Sequence, residues 1–259
     1  MHQDSLLRVE GLSKRFGGVE AVSGVSFHVG RGEIYSLIGP NGAGKTTTFN
    51  MISGIVAPSA GKVHYEDRDI TGMPSHRMPR MGIGRTFQNL AVFKHATVVQ
   101  NLLVGRHCHM RTNVFDAVWF LGRARREELE HRRKVEEIID FLEIEDIRDM
   151  PVGALSYGMQ KRVELGRALA TEPRLLLLDE MVSGMNTEET EDIARFVLDI
   201  RDELGVTVLM VEHDMGIVMD ISDRVCVLNF GRKIAEGTPA QVSADAAVIE
   251  AYLGGAKAA

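Results

Sequence analysis

The chain has 259 residues with 36 acidic and 30 basic side chains, a formal charge of −6. Apolar residues at 44% and charged residues at 25% are the balance of a globular chain able to bury a full core, which excludes disorder. No apolar run approaches the roughly 18–20 residues that cross a bilayer, the first ten residues lack a signal peptide's apolar stretch, and the acidic balance argues against a nucleic-acid partner. Two cysteines, Cys108 and Cys226, cannot build a disulfide framework and fit a reducing cytosol.

In chain order, Leu6–Glu10 and Val25–Val29 read as β-like pieces broken by Gly17-Gly18 and Gly24, predicting a small antiparallel sheet. Glu33–Ile38 is a compact apolar strand that runs into a glycine-rich loop, and Thr46–Ile52 reads as the helix leaving it. The segment of about 91–156 differs in character. It contains Arg123–Asp140, dense in charge and free of Gly and Pro, with Glu128–Arg132 and Glu130–Lys134 as i,i+4 pairs on a solvated helix face. Its basic cluster is interleaved with glutamates, so a nucleic-acid role is not expected. Leu175–Leu178 followed by Asp179-Glu180, and Val206–Val211 followed by Glu212-His213, are unbroken apolar runs ending in functional groups. Such runs predict central parallel strands, buried on both faces, with chemistry at their carboxyl ends. Arg224–Gly237 reads as a hairpin around Asn229-Phe230-Gly231.

Gly39-Pro40-Asn41-Gly42-Ala43-Gly44-Lys45-Thr46 satisfies G-x-x-x-x-G-K-[ST] in full, with a strand before it and a helix after. The glycines let the backbone wrap closely enough for successive N–H groups to meet phosphate oxygens, and the helix that follows adds its positive end. Lys45 can reach the β- and γ-phosphates as a point charge, and the Thr46 hydroxyl can ligate Mg²⁺. Asp179, closing a buried strand, is suited to the Mg²⁺ shell, and Glu180 to polarising an attacking water. His107-Cys108-His109 carries potential soft ligands but has no matching second cluster, and the Met content reads as core filler.

Leu155-Ser156-Tyr157-Gly158-Met159-Gln160, followed by a helical run to Ala170, resembles the signature motif of ABC transporter ATPases. Ser156 suits an N-cap, and a helix starting there aims N–H groups and a dipole at an anion. The resemblance implies an α/β P-loop fold over residues 1–259. It has a parallel-sheet core with an antiparallel β subdomain (1–90 and 157–259) and a helical subdomain (about 91–156). It implies two chains sandwiching two ATP molecules head to tail, Ser156 and Gly158 of one facing the γ-phosphate held by the other, with Thr47 beside Thr46 at the nucleotide. Phe16 looks like the aromatic that stacks on adenine. Gln88, in Arg85-Thr86-Phe87-Gln88-Asn89, looks like the glutamine that senses Mg²⁺ and γ-phosphate, and His213 like the switch histidine.

More narrowly, Arg85–Asn89, 103–107, Val211–Met215, Ile221–Arg224 and 248–254 look like the branched-chain amino acid importer ATPases, and His213 like the larger of their two paired subunits. That implies a cytosolic ATPase on the inner face of the cell membrane, bound to two permease subunits, paired with a paralogue or itself, and fed by an extracytoplasmic binding protein. Three positions depart from the family pattern: Met159 stands at a usual glutamine, and Met181 and Thr187 at usual prolines. Losing both prolines removes φ restraints from the loop facing the partner. Rival expectations are a homodimeric lipopolysaccharide-type export ATPase, a soluble ABC ATPase of repair or translation, and a non-catalytic nucleotide-gated module. The single loop and undegraded Lys45, Glu180 and His213 favour the importer.

Overall fold

The computed structural model describes residues 5–86, 91–110 and 123–255. The chain divides into two compact units, 1–78 with 174–259 and the intervening 79–173. The first unit opens with two long antiparallel strands, β1 (Ser5–Phe16) and β2 (Val19–Gly30), turned at Gly17-Gly18. Leu7 and Val9 on β1, and Val25, Phe27 and Val29 on β2, are buried in alternation, as period-2 strands with one covered face require. Both strands run further than their apolar pieces. Gly11 and Gly24 take positive φ within them, and β1 bulges between Val9 and Leu12 instead of ending. Next come β3 (Ile34–Ile38), buried throughout, and helix α1 (Lys45–Ile52). β4 (Ala60–Tyr65) and β5 (Arg68–Asp69) then extend the antiparallel sheet to the order β2-β1-β4-β5.

The second unit contains β6 (Ile83–Arg85), α2 (Val98–Arg106), α3 (Arg123–Phe141) and α4 (Tyr157–Leu169). It therefore takes in a short strand before, and the signature helix after, the segment expected to be helical. A capping box starts α2: Gln100 N–H donates to Thr97 Oγ1 at 3.2 Å and Thr97 N–H to Gln100 Oε1 at 2.9 Å. On α3 the buried positions His131, Val135 and Ile139 form one stripe at helical spacing. The opposite face pairs Arg132 with Glu128 at 2.8 Å as expected, but Lys134 turns to Glu137 at 2.8 Å rather than to Glu130. Residues three and four apart are equally neighbours on a helix, so spacing alone did not choose between two glutamates.

Two buried polar groups brace this unit. Arg106 donates to the Ala170 carbonyl at 2.9 Å, pairs with Glu172 at 3.2 Å and reaches His131 Nδ1 at 3.3 Å. Lys161 and Glu164 form a fully buried pair at 3.5 Å. Removing one partner of such a pair leaves an uncompensated buried charge.

The chain then returns to the first unit with β7 (Leu175–Asp179), α5 (Thr187–Asp202), β8 (Thr207–Val211), α6 (Met215–Ile221), β9 (Arg224–Asn229), β10 (Arg232–Gly237), α7 (Pro239–Ser243) and α8 (Ala246–Gly255). In this unit the second sheet runs β10-β9-β3-β8-β7, parallel except for the β9–β10 hairpin. The four-leucine run of β7 and all of β8 are buried, the signature of strands covered on both faces. The hairpin turns on Phe230 and Gly231, both at positive φ, a turn whose twist suits the flanking strands. No helix among the described residues is long and apolar enough to cross a membrane.

Helix α2 approaches α4 closely because position 105 is glycine: a Cβ there would lie 2.4 Å from the Arg167 carbonyl oxygen. Gly105→Val should lower the unfolding free energy by about 2 kcal/mol or more through overpacking, measured by urea denaturation. Unchanged stability would contradict this close packing.

Candidate active site

The phosphate loop links β3 to α1 and is shaped by three glycines at positive φ, Gly39, Gly42 and Gly44. At Gly39 (φ 146) a Cβ would stand 2.1 Å from the Leu228 carbonyl oxygen, so no other residue fits. Gly44 precedes α1 in the left-handed conformation and supplies no side-chain cap. The N-terminus of the helix is thus offered to an anion rather than to its own N-cap. The loop is pinned from both sides. Ala43 N–H donates to the Pro40 carbonyl at 3.1 Å, and Gly231 of the hairpin donates to the Ala43 carbonyl at 3.0 Å. Lys45 is buried, and its Nζ donates to the carbonyls of Gly39 at 2.7 Å and Pro40 at 3.1 Å. Burial holds its pKa below the usual lysine value, and the nearby Glu180 charge partly restores it. Thr46 and Thr47 follow on the first turn, half-buried.

Two strand ends supply the acid groups. β7 and β8 are in parallel register with Asp179 opposite Val211, and Glu180 N–H donates to the Val211 carbonyl at 2.9 Å. Asp179 is buried at the end of β7. Glu180 sits at φ 50, a conformation that non-glycine residues hold only when their surroundings impose it. Its Oε1 accepts a 2.7 Å hydrogen bond from His213 Nε2; a carboxylate only accepts, so Nε2 carries the proton. His213 is the more exposed partner, at 44% of its side chain against 13% for Glu180. Asp214 caps α6 by accepting from Gly216 and Ile217 N–H, which fixes the chain directly after the histidine.

Glu212, noted in the sequence only as a polar strand end, is buried beside this pair. Its Oε1 accepts from Val182 N–H at 3.3 Å, and the N–H groups of Met181 and His213 also bond its carboxyl. A buried acid between an apolar strand and a histidine was the available signal. The positions lacking proline prove restrained by hydrogen bonds instead: Met181 donates to Glu212, and Thr187 begins a helix fixed by an Asn186–Glu189 capping box.

Phe16 closes β1, half exposed, opposite Val19. The Lys14 ammonium lies 5.1 Å from its ring centroid. Further along β2, the Ala21 carbonyl lies against Gly44 and Gly231, so this end of the antiparallel sheet adjoins the phosphate loop. In the second unit Ser156 caps α4, its Oγ accepting from Met159 N–H at 3.3 Å, and Gly158 is buried in the first turn. Gln88 lies outside the described residues. The first unit therefore brings together the loop 39–47, Asp179, Glu180 and His213.

A phosphate loop between a parallel strand and a helix, with acidic groups at the ends of neighbouring strands, defines a P-loop nucleotide-binding protein. Known relatives narrow the class. A family model for ABC transporters matches residues 22–183, and one for the branched-chain amino acid ATP-binding cassette transporter matches residues 232–258. The chain is 42% identical to the high-affinity branched-chain amino acid transport ATP-binding protein BraF of Pseudomonas aeruginosa, over 96% of this chain and 98% of that protein. It is 39% identical to LivG of Escherichia coli K12, with the same coverage. An ATP-binding cassette of an ABC transporter, solved in its ADP conformation, superposes with a TM-score of 0.84 at 35% identity, covering 96% of this chain and 99% of that one. The chain belongs to the ABC transporter ATP-binding family, and within it resembles the branched-chain amino acid importer ATPases. It is a nucleotide-binding ATPase that serves transport.

Burial pushes the Glu212 carboxyl up to about 7 from its ordinary 4.5. The folded protein therefore binds a proton that the unfolded chain has lost above about pH 4.5. The associated stability is present at low pH and is lost as pH rises through about 7. Relative to Glu212→Gln, wild-type unfolding free energy should fall by about 2–3 kcal/mol between about pH 4.5 and pH 8. Parallel pH profiles from urea unfolding would contradict a buried, proton-holding Glu212.

Proposed function

We propose that residues 1–259 work as a single ATPase domain that powers import of branched-chain amino acids or related small solutes. The observation that carries the catalytic part is the 2.7 Å Glu180–His213 hydrogen bond at strand ends adjoining the buried loop lysine. In this reading the glycine-loop backbone and Lys45 hold the ATP phosphates, and Phe16 stacks on adenine. Mg²⁺ takes oxygen ligands, which the Thr46 hydroxyl, the Asp179 carboxylate and the Gln88 amide oxygen would supply. Once bound it neutralises charge on the phosphates.

Glu180 orients the attacking water and takes its proton. His213, with the proton on Nε2, is suited to stabilise charge on the transferring phosphoryl group. Ser156 and Gly158 act on the nucleotide of a second ATPase chain, through the N-terminus of α4. Phosphoryl transfer depends mainly on positioning and charge compensation, which this set supplies.

The names of the relatives and the C-terminal match support the substrate class. They also support a peripheral place on the cytoplasmic face of the cell membrane, on two permease subunits served by an extracytoplasmic binding protein. The partner ATPase is a paralogue or a second copy, and no nucleic acid is involved. In ATPase assays Glu180→Gln should lose about 10²–10⁴ in turnover while ATP affinity stays within a few-fold. Turnover at the wild-type rate would remove Glu180 from the role of base.

A further inference from the structure

Glu180 carries the proposed base and sits at φ 50, a conformation its surroundings must impose. Asp179 ends β7, and the chain after Glu180 turns through 181–184 with Gly184 at φ 82. One backbone bond, Glu180 N–H to the Val211 carbonyl, ties it to β8. The next residue on β8's side is Glu212, 4% exposed, whose carboxyl gathers N–H groups from both of the chains that hold the reactive pair. Val182 N–H donates at 3.3 Å and Met181 N–H joins it from the turn after Glu180, while the third bond comes from the backbone of His213 itself. The hydrogen bonds to this carboxyl come from backbone N–H groups rather than from the Glu180 or His213 side chains. The carboxyl joins the two backbones that carry them.

We infer that Glu212 is a positioning residue, clamping the turn after Glu180 to the chain that enters His213 and so setting the Glu180–His213 hydrogen bond. The inference rests on the reading of Glu180 as the base. Without the acceptor, buried N–H groups at Met181 and Val182 lose their partner and the turn relaxes. Glu180 is then no longer over-determined at positive φ. The loss falls on the chemical step, because the phosphate loop and Lys45 are held by separate bonds.

The test is steady-state ATPase kinetics and nucleotide affinity on the full chain, in its transport assembly, for Glu212→Leu, Glu212→Gln and Glu212→Asp. Glu212→Leu should lower kcat by about 10–100-fold with KM for ATP within about twofold. Glu212→Gln retains an acceptor oxygen at the same reach and should recover kcat to within about threefold of wild type. Glu212→Asp keeps the carboxyl but withdraws the oxygens, and should fall with Leu; it answers the question if the Leu variant does not fold. In the Glu180→Gln background, Glu212→Leu should cost little further. Wild-type kcat in both Leu and Asp variants would overturn the inference, as would a Gln variant as slow as Leu, or equal losses in kcat and in ATP affinity. The reading of Glu180 fails separately, if Glu180→Gln itself turns over normally.

Discussion

The parallel register of β7 and β8 is the constraint on which the site depends. With Asp179 opposite Val211, the two buried strands end at the same level, and the first polar residues beyond each emerge side by side. The Glu180 N–H to Val211 carbonyl bond extends that pairing one step past the strand, and the Glu180–His213 contact follows from it. A slip of one residue would send each side chain to the opposite face of the sheet. The apolar lock that prevents slippage is the unbroken burial of Leu175–Leu178 against Val208–Val211. The phosphate loop depends on the same sheet through β3, which pairs with β8 on one side and β9 on the other. Gly39 can approach the Leu228 carbonyl only because it has no side chain.

Most of this was legible in the sequence because it is contiguous. The loop 39–46 is one uninterrupted string whose glycine spacing states the backbone geometry directly. Apolar runs without alternation identified β7 and β8, and the hairpin was marked by Asn229-Phe230-Gly231. What escaped was non-local or weakly patterned. β4 and β5 lack a strong apolar run, since Val63 and Tyr65 alone are buried on β4, and they exist as strands because β1 offers an edge. Glu212 was visible as a residue but not as a structural tie, because its bonds reach across 30 positions to Val182. The two missing prolines read as lost restraint, whereas Met181 bonds the distant Glu212 and Asn186 caps its helix with Glu189, an N-x-x-E pattern that does stand in the sequence.

The second unit follows a different logic. A buried Arg106 braces α2 against the end of α4, and a buried Lys161–Glu164 pair lies within α4 itself. Such pairs are weak contributors to stability but strict about geometry. They hold the helix whose N-terminus Ser156 caps. The same hydroxyl that satisfies Met159 N–H stands at the positive end of that helix, so the feature that starts α4 also prepares it for an anion.

On the proposed function, each chain carries a loop-and-base half-site that needs the Ser156 helix of a second ATPase. The solution mass of the Glu180→Gln protein, with and without Mg-ATP, alone and mixed with its paired ATPase, decides the matter. Monomers are expected without nucleotide and an ATP-dependent dimer with it, formed with a second copy or with the paralogue. A protein that binds Mg-ATP yet remains monomeric in both settings would contradict the half-site reading.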